Sequence, residues 1–378
     1  MKAIVKAGPG EGAELAIMPT PHCGGDEVLI KVRATSICGT DVHIYKYDNF
    51  GKKYVNEFPH ILGHEVAGEI VKVGGDVKGL EVGDYVSAET HIPCGHCVQC
   101  AGGQGHICAN LKILGIHRHG AFAEYISVPG SVVWKNSPGI EPEFATVQEP
   151  LGNAVYCALV EPVGGKSVLI IGDGPTSLLA AGVARAAGAG SVVLLGLQPY
   201  RLDIARRMGA DSSLQAKRID PHDPAVGTGD DPTVKAVLEA RGGEKFDVVL
   251  EMVGAGVTIK QGLCLVRKGG RFSAFGLVGD REPIVINDWN TRVVLGGITI
   301  YGINGRLIFD TWHKLDDLLS SGALDISPVV THLLALEEFE KGFKLMTREP
   351  IECGKVVLFP DRDELEKAGK RAEERKQG

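Results

Sequence analysis

Residues 166–177 read KSVLIIGDGPTS. Lys166–Ile171 is a near-continuous apolar run, the pattern of a strand buried on both faces. Gly172-Asp173-Gly174-Pro175 interrupts it, and Thr176–Ala187 then has helical texture. Strand, glycine turn and helix together aim backbone N–H groups at a phosphate resting on the helix N-terminus. Gly172 allows the tight turn, and Gly174 lets the backbone approach a pyrophosphate. Pro175 and Thr176 complete the candidate contact. Ser177 stands where the dinucleotide fingerprint has its third glycine, and is small enough to keep helix and sheet close.

Working outward, Ser191–Leu195 reads as a strand, Tyr200–Met208 as a helix and Phe246–Glu251 as a strand. Thr258–Val266 reads as a helix and Gly270–Gly276 as a strand. Such alternation predicts βαβ units and a doubly wound parallel sheet, the Rossmann arrangement. A fingerprint acid is expected about 20 residues past the glycines, to hold the ribose hydroxyls. Gly196 occupies that place. Losing the carboxylate removes repulsion against a 2′-phosphate, which Arg201 is close enough in sequence to pair, so NADP stands beside NAD. Residues 215–245, rich in Gly, Asp and Pro, read as a surface excursion with one helix near Pro232–Arg241.

Upstream of Pro150 the texture is β. Glu27–Arg33, Val66–Val73 and Tyr85–Ala88 alternate apolar and polar residues between glycine turns. After Gly302 the chain is expected to rejoin this first region, ending in a last apolar segment, Lys355–Phe359. The polar tail from Asp361 reads as a solvated helix or frayed end.

Composition narrows the function classes. The 378 residues suit two domains, and 44% hydrophobic with 23% charged residues is a globular profile. A net charge of −7 gives no electrostatic footprint for nucleic acid or anionic lipid. No run of about 18 apolar residues suggests a membrane span. The N-terminal MKAIVKAGPGEGAEL carries charges where a signal peptide needs an apolar core, so a cytoplasmic protein is expected.

Four of the nine cysteines, Cys94, Cys97, Cys100 and Cys108, fall within fifteen residues. Cys-x2-Cys-x2-Cys-x7-Cys puts four thiols in one loop, and Zn2+ takes a closed tetrahedral sulfur shell in structural sites. An iron–sulfur centre is the rival, but its fourth cysteine should come about four positions on, before a proline. Here Cys108 comes later, before Ala109. Unliganded or redox thiols are a further reading. His96 and His106 lie in the loop, but four thiols already fill a shell. A second, dispersed set is Cys38 in SICGTDVHIY, His64-Glu65 in GHEVAGE and Glu149 in QEPLGNA. Cysteine, histidine and carboxylate make an open catalytic zinc site, where an alcohol loses its proton near neutral pH.

These features in this order resemble the zinc-containing medium-chain dehydrogenases of the alcohol dehydrogenase superfamily. The resemblance sharpens at ATSICGTDVHIY (34–45), GHEVAGE (63–69), ETHIPCGHC (89–97), FAEY (122–125), QEPLGNAV (148–155) and ITIYGINGR (298–306). Those segments look like the threonine dehydrogenases, which oxidise threonine to 2-amino-3-ketobutyrate with NAD. The resemblance implies a GroES-like catalytic domain of residues 1–151 and 304–378, a Rossmann domain of 152–303, and a homotetramer. It implies that Cys38, His64 and Glu149 hold a catalytic zinc, with Glu65 the carboxylate that enters or leaves its shell. Thr40 would accept the substrate proton, His43 would pass it on, and His91 would tune substrate choice. Cys94, Cys97, Cys100 and Cys108 would hold a structural zinc.

The chain departs from that pattern at Gly196 and Ser177, and at His117-Arg118-His119 before Gly120. It departs again at Tyr47, Phe50, Tyr156 and Leu307. The alternatives are therefore a related zinc dehydrogenase acting on another amino alcohol, polyol or hydroxylated small molecule, or a non-catalytic nucleotide-binding relative.

Overall fold

The computed structural model describes residues 1–279, 283–286 and 288–377. The chain forms two units. One comprises Met1–Pro150, Leu307–Asp316 and Val330–Gly378; the other comprises Leu151–Arg306 and Asp317–Val329. Asp317–Val329 goes with the second unit, and Leu324, Ile326 and Val329 within it are buried. A side chain at Gly182 would fall 2.6 Å from the end of Leu324 and 2.7 Å from the end of Met208, so both would have to shift.

The second unit is built on a six-stranded, all-parallel sheet. Its strand order is Ser212–Gln215, Ser191–Gly196, Ser167–Ile171, Phe246–Glu251, Val266–Ala274, Thr299–Gly302. In chain order that is 3-2-1-4-5-6, the doubly wound Rossmann order. Leu169, Val193, Val249 and Phe272 stack in its core against Ile259 and Leu263 of the helix Gly256–Leu265. Parallel strands buried on both faces are why these segments read as unbroken apolar runs. The 215–245 segment is less of a surface excursion than its polarity suggests. Val226, Val234 and Val237 are buried. Buried Asp231 caps the helix Pro232–Ala240 and accepts from Gln261 Nε2 at 3.0 Å, which ties the segment down.

The first unit holds a mixed sheet of seven strands. Six follow the order Val133–Lys135, Tyr85–Ala88, Glu65–Val73, Glu27–Ser36, Lys355–Phe359, Val330–Ala335, and Tyr125–Pro129 also pairs with Glu27–Ser36. The tail is ordered as a helix, Arg362–Gln377, and is not frayed. Ala368 is fully buried among Val357 and Phe359, and Arg371 Nη2 reaches buried Glu143 at 2.6 Å. Three charged contacts on one face, including Glu364 to Arg33, hold down a sequence with little apolar content.

Candidate active site

The ladder between Glu27–Ser36 and Glu65–Val73 pairs Ser36 with Glu65, and the next strand pairs Val357 with Ser36. Cys38 lies two residues beyond Ser36, His64 lies one before Glu65, and Lys355 lies two before Val357. Strand register therefore brings together three residues from distant parts of the sequence. Donor atoms of Cys38, His64 and Glu65 lie within 4.8 Å of one another. Cysteine sulfur with imidazole nitrogen is a donor set suited to zinc.

Two further residues that the sequence reading did not single out support the group. Asp41, fully buried, accepts from the Cys38 N–H at 2.9 Å and the Gly63 N–H at 3.1 Å. Its Oδ1 stands 3.5 Å from His64 Nδ1. A carboxylate behind a ligand histidine fixes the ring and raises its basicity. Burial alone would lower the His64 pKa, but Asp41 and Cys38 outweigh it and raise it well above the usual value. The other residue is Lys355, fully buried, which contacts both Glu65 oxygens and donates to the Ile37 carbonyl at 3.2 Å. Ser36 Oγ also donates to Glu65. The fingerprint of Asp41 is visible as Cys-x2-Asp in the sequence. Lys355 gives no local signal, because only the sheet brings it to Glu65.

Glu149 is buried but is not one of the three clustered donors; its Oε1 accepts from Thr90 Oγ1 at 3.0 Å. It is near enough to Glu65 to act on it electrostatically. Thr40 and His43 lie in the helix Gly39–Lys46, three residues apart and so on one face. His43 is exposed over 56% of its side chain, and its Nδ1 lies 2.5 Å from Asp48 Oδ2. Burial pushes the Asp48 carboxyl up, but His43 and the N–H groups of Gly51 and Phe50 hold it below its usual value. His91 is buried, and its N–H donates to Glu89 Oε1 at 2.9 Å. Glu89 is fixed in turn by Trp312 Nε1 at 2.8 Å.

The cysteine loop is a second metal-shaped cluster. Its four sulfurs lie within 4.8 Å of one another, with Cys97–Cys100 at 3.4 Å and Cys97–Cys108 at 3.7 Å. A tetrahedral shell with Zn–S near 2.3 Å places sulfurs about 3.8 Å apart, so little movement is needed. Backbone N–H groups point at the sulfurs, from Cys94 to Cys108 at 3.2 Å and from Asn110 to Cys108 at 3.3 Å. The N–H of His96 and then that of Cys97 lower Cys94 to about 6. His96 and His106 are not in the cluster.

In the second unit, Gly172 has φ +127° and Gly174 caps the helix Pro175–Ala186. Pro175 and Thr176 form its first turn, and Ser177 is buried. A Cβ at Gly174 would meet no protein atom within 4 Å. Glycine there answers to something other than the chain's own packing, as expected of a cradle into which a pyrophosphate fits. Gly196 ends its strand beside Asp173. Arg201 is buried, with Nη1 3.9 Å from Asp173 Oδ1, so its charge already faces an acid.

The departures from the pattern have local partners. Tyr47 closes its helix in the left-handed region at φ 51°, and Phe50 stands 5.9 Å from the His43 ring. His117 Nδ1 accepts from the Ile113 N–H at 3.0 Å, and His119 Nδ1 from the Ile61 N–H at 3.3 Å. Arg118 pairs with Glu27. Tyr156 and Leu307 are half-buried.

Comparison with known proteins gives the family. Residues 24–138 match the alcohol dehydrogenase GroES-like domain, and residues 175–321 match the zinc-binding dehydrogenase family. L-threonine 3-dehydrogenase of Pyrococcus horikoshii is 45% identical over 360 residues, covering 95% of this chain and 98% of that one. The enzyme of the same name from Bacillus subtilis is 43% identical over 360 residues, covering 95% and 99%. Among solved structures, the alcohol dehydrogenase of Thermus sp. ATN1 superposes with a TM-score of 0.80 at 30% identity, covering 95% and 99%. The chain belongs to the zinc-containing medium-chain dehydrogenases of the alcohol dehydrogenase superfamily. It is an oxidoreductase that moves a hydride between a secondary alcohol and NAD(P), and within that family it is threonine dehydrogenase-like.

Proposed function

We propose that the chain oxidises L-threonine at its 3-hydroxyl, with the catalytic zinc on Cys38 and His64 and a structural zinc on Cys94, Cys97, Cys100 and Cys108. The observation that carries this reading is the meeting of Cys38, His64 and Glu65 across a strand ladder, in a chain 43–45% identical to enzymes of that name. When bound, zinc supplies Lewis-acid stabilisation of the deprotonated alcohol and the nicotinamide accepts the hydride. Asp41 orients His64, and Lys355 holds Glu65 at the edge of the set, with Glu149 beside it. Thr40 takes the substrate's hydroxyl proton. His43, one turn on, passes it to water, and its exposure gives that proton a way out. Buried His91, backed by Glu89, orients the substrate. Family resemblance also supports a homotetramer, and the charged N-terminal sequence supports a cytoplasmic location.

A second reading, another amino alcohol or a polyol as substrate, is favoured by one observation: Phe50 places an aromatic ring beside His43. Absorbance at 340 nm distinguishes them, with zinc-loaded enzyme offered L-threonine and a panel of amino alcohols and polyols. Threonine is expected to turn over fastest. Cys38→Ser is expected to lower metal content from two zinc ions per chain to one and to abolish turnover. Turnover of a polyol but not of threonine would replace the substrate assignment.

A further inference from the structure

The strand ending at Gly196 lacks the acid that would face a ribose, yet a carboxylate is there. Asp173, the residue between the two glycines of the phosphate turn, lies over the end of that strand. A Cβ at position 196 would fall 2.5 Å from Asp173 Cβ and 2.8 Å from its Oδ2. Oδ2 accepts from the N–H groups of Leu197 at 2.6 Å and Gln198 at 2.7 Å, both just past the strand. Oδ1 faces Arg201 Nη1 at 3.9 Å. An acid at 196 and an acid at 173 cannot both fit. The two positions are alternative sources of one charge at one place.

We infer that Asp173 is the residue that selects the dinucleotide, and that it selects NAD over NADP. This rests on the reading that the dinucleotide lies on the Gly172–Gly174 turn. A carboxylate offers about four acceptor positions, and Oδ2 uses two of them on backbone N–H groups. Oδ1 is left to accept from a ribose hydroxyl. The same charge repels a 2′-phosphate, and a like charge brought this close is a strong negative selector. Arg201, which alone would attract that phosphate, faces Asp173 instead. Gly196 is then the accommodation that makes room for Asp173, and not the loss of an acid.

The test is direct binding, read by the fluorescence of NADH and NADPH titrated with zinc-loaded protein. Wild type is expected to bind NADH at least about tenfold more tightly, a difference of about 1.4 kcal/mol. Asp173→Asn keeps an acceptor for both backbone N–H groups but drops the charge. It is expected to shrink the NADH:NADPH ratio at least about fivefold. The double variant Asp173→Gly with Gly196→Asp removes the Cβ that would meet the new side chain, returns the acid to the strand and is expected to restore the preference. An Asp173→Asn ratio equal to that of wild type, or wild-type preference for NADPH, would overturn the inference while leaving the dinucleotide turn intact. Binding of neither nucleotide would instead overturn the reading of the turn itself. Melting curves of both variants show whether each is folded.

Discussion

Lys355 and Glu65 are both fully buried and in contact, which is rare for such residues unless each satisfies the other. Burial alone would lower the lysine pKa, but Glu65, then Cys38, raise it above its usual value, while burial raises that of Glu65. Removing one member strands the other's charge, at a cost of about 3–5 kcal/mol. Lys355→Met is therefore expected to lower the urea midpoint sharply, even though methionine fills similar space. Unchanged stability would show that Glu65 finds another partner. Thr40 makes a different prediction. Thr40→Val keeps the shape but removes the hydroxyl, so kcat is expected to fall about 10²-fold or more with zinc content unchanged. Retained kcat would remove Thr40 from the proton path. At this scale the sequence told a great deal about Cys38, His64 and the four-cysteine loop, because spacing and residue type carry metal chemistry. It told nothing of Lys355, which is 290 residues from Glu65 and meets it only through the sheet. Gly196 differs again: Asp173 lies beside the place of the missing acid, and only packing reveals that.

Three elements of the parallel sheet, Ser167–Ile171, Ser191–Gly196 and Phe246–Glu251, were legible almost to the residue, because a strand buried on both faces leaves an apolar run; Val266–Ala274 starts four residues before the expected Gly270, and the less buried edge strands Ser212–Gln215 and Thr299–Gly302 gave no such run. Phe246–Glu251 is one such strand, and its second residue fastens it to the sheet's first strand. Asp247 Oδ2 accepts from Ser167 N at 2.8 Å and Ser167 Oγ at 2.7 Å, and Oδ1 accepts from Arg267 Nε at 2.6 Å. Burial pushes this carboxyl up, but the Ser167 hydrogen bonds and Arg267 outweigh it and hold it at about 2. A depressed folded pKa gives stability that is present above the unfolded value, about 4, and is lost as pH falls through about 2. Asp247 keeps about a quarter of its surface exposed, so solvent screening trims the benefit to about 1–2 kcal/mol. Urea unfolding of Asp247→Asn should show that deficit at neutral pH and a shrinking one as pH drops from about 5 towards 3. A deficit independent of pH would mean the charge contributes nothing. The terminal helix Arg362–Gln377 was less legible, since its sequence is nearly all polar. Its anchoring is by ion pairs to Arg33 and Glu143 around one buried alanine, and apolar periodicity cannot show that.

For the whole molecule, the change in texture near Pro150, from alternating to continuous apolar strands, is what suggests a two-domain chain. The return of Asp317–Val329 to the second unit was not visible. Its buried residues Leu324, Ile326 and Val329 are interspersed with polar and small residues, so they form no apolar run. The two units carry separate chemistry. One brings Cys38, His64 and Glu65 together with Thr40 and His43; the other presents the Gly172–Gly174 turn with Asp173 beside it. The central claim is that the chain oxidises threonine at C3, moving its hydride to a nicotinamide. L-threonine deuterated at C3, incubated with the zinc-loaded enzyme and NAD, tests it most directly by the mass of the reduced dinucleotide. The account predicts one deuterium in the nicotinamide ring of the NADH formed, and none formed by Cys38→Ser. Unlabelled NADH, or no NADH from threonine at all, would contradict it.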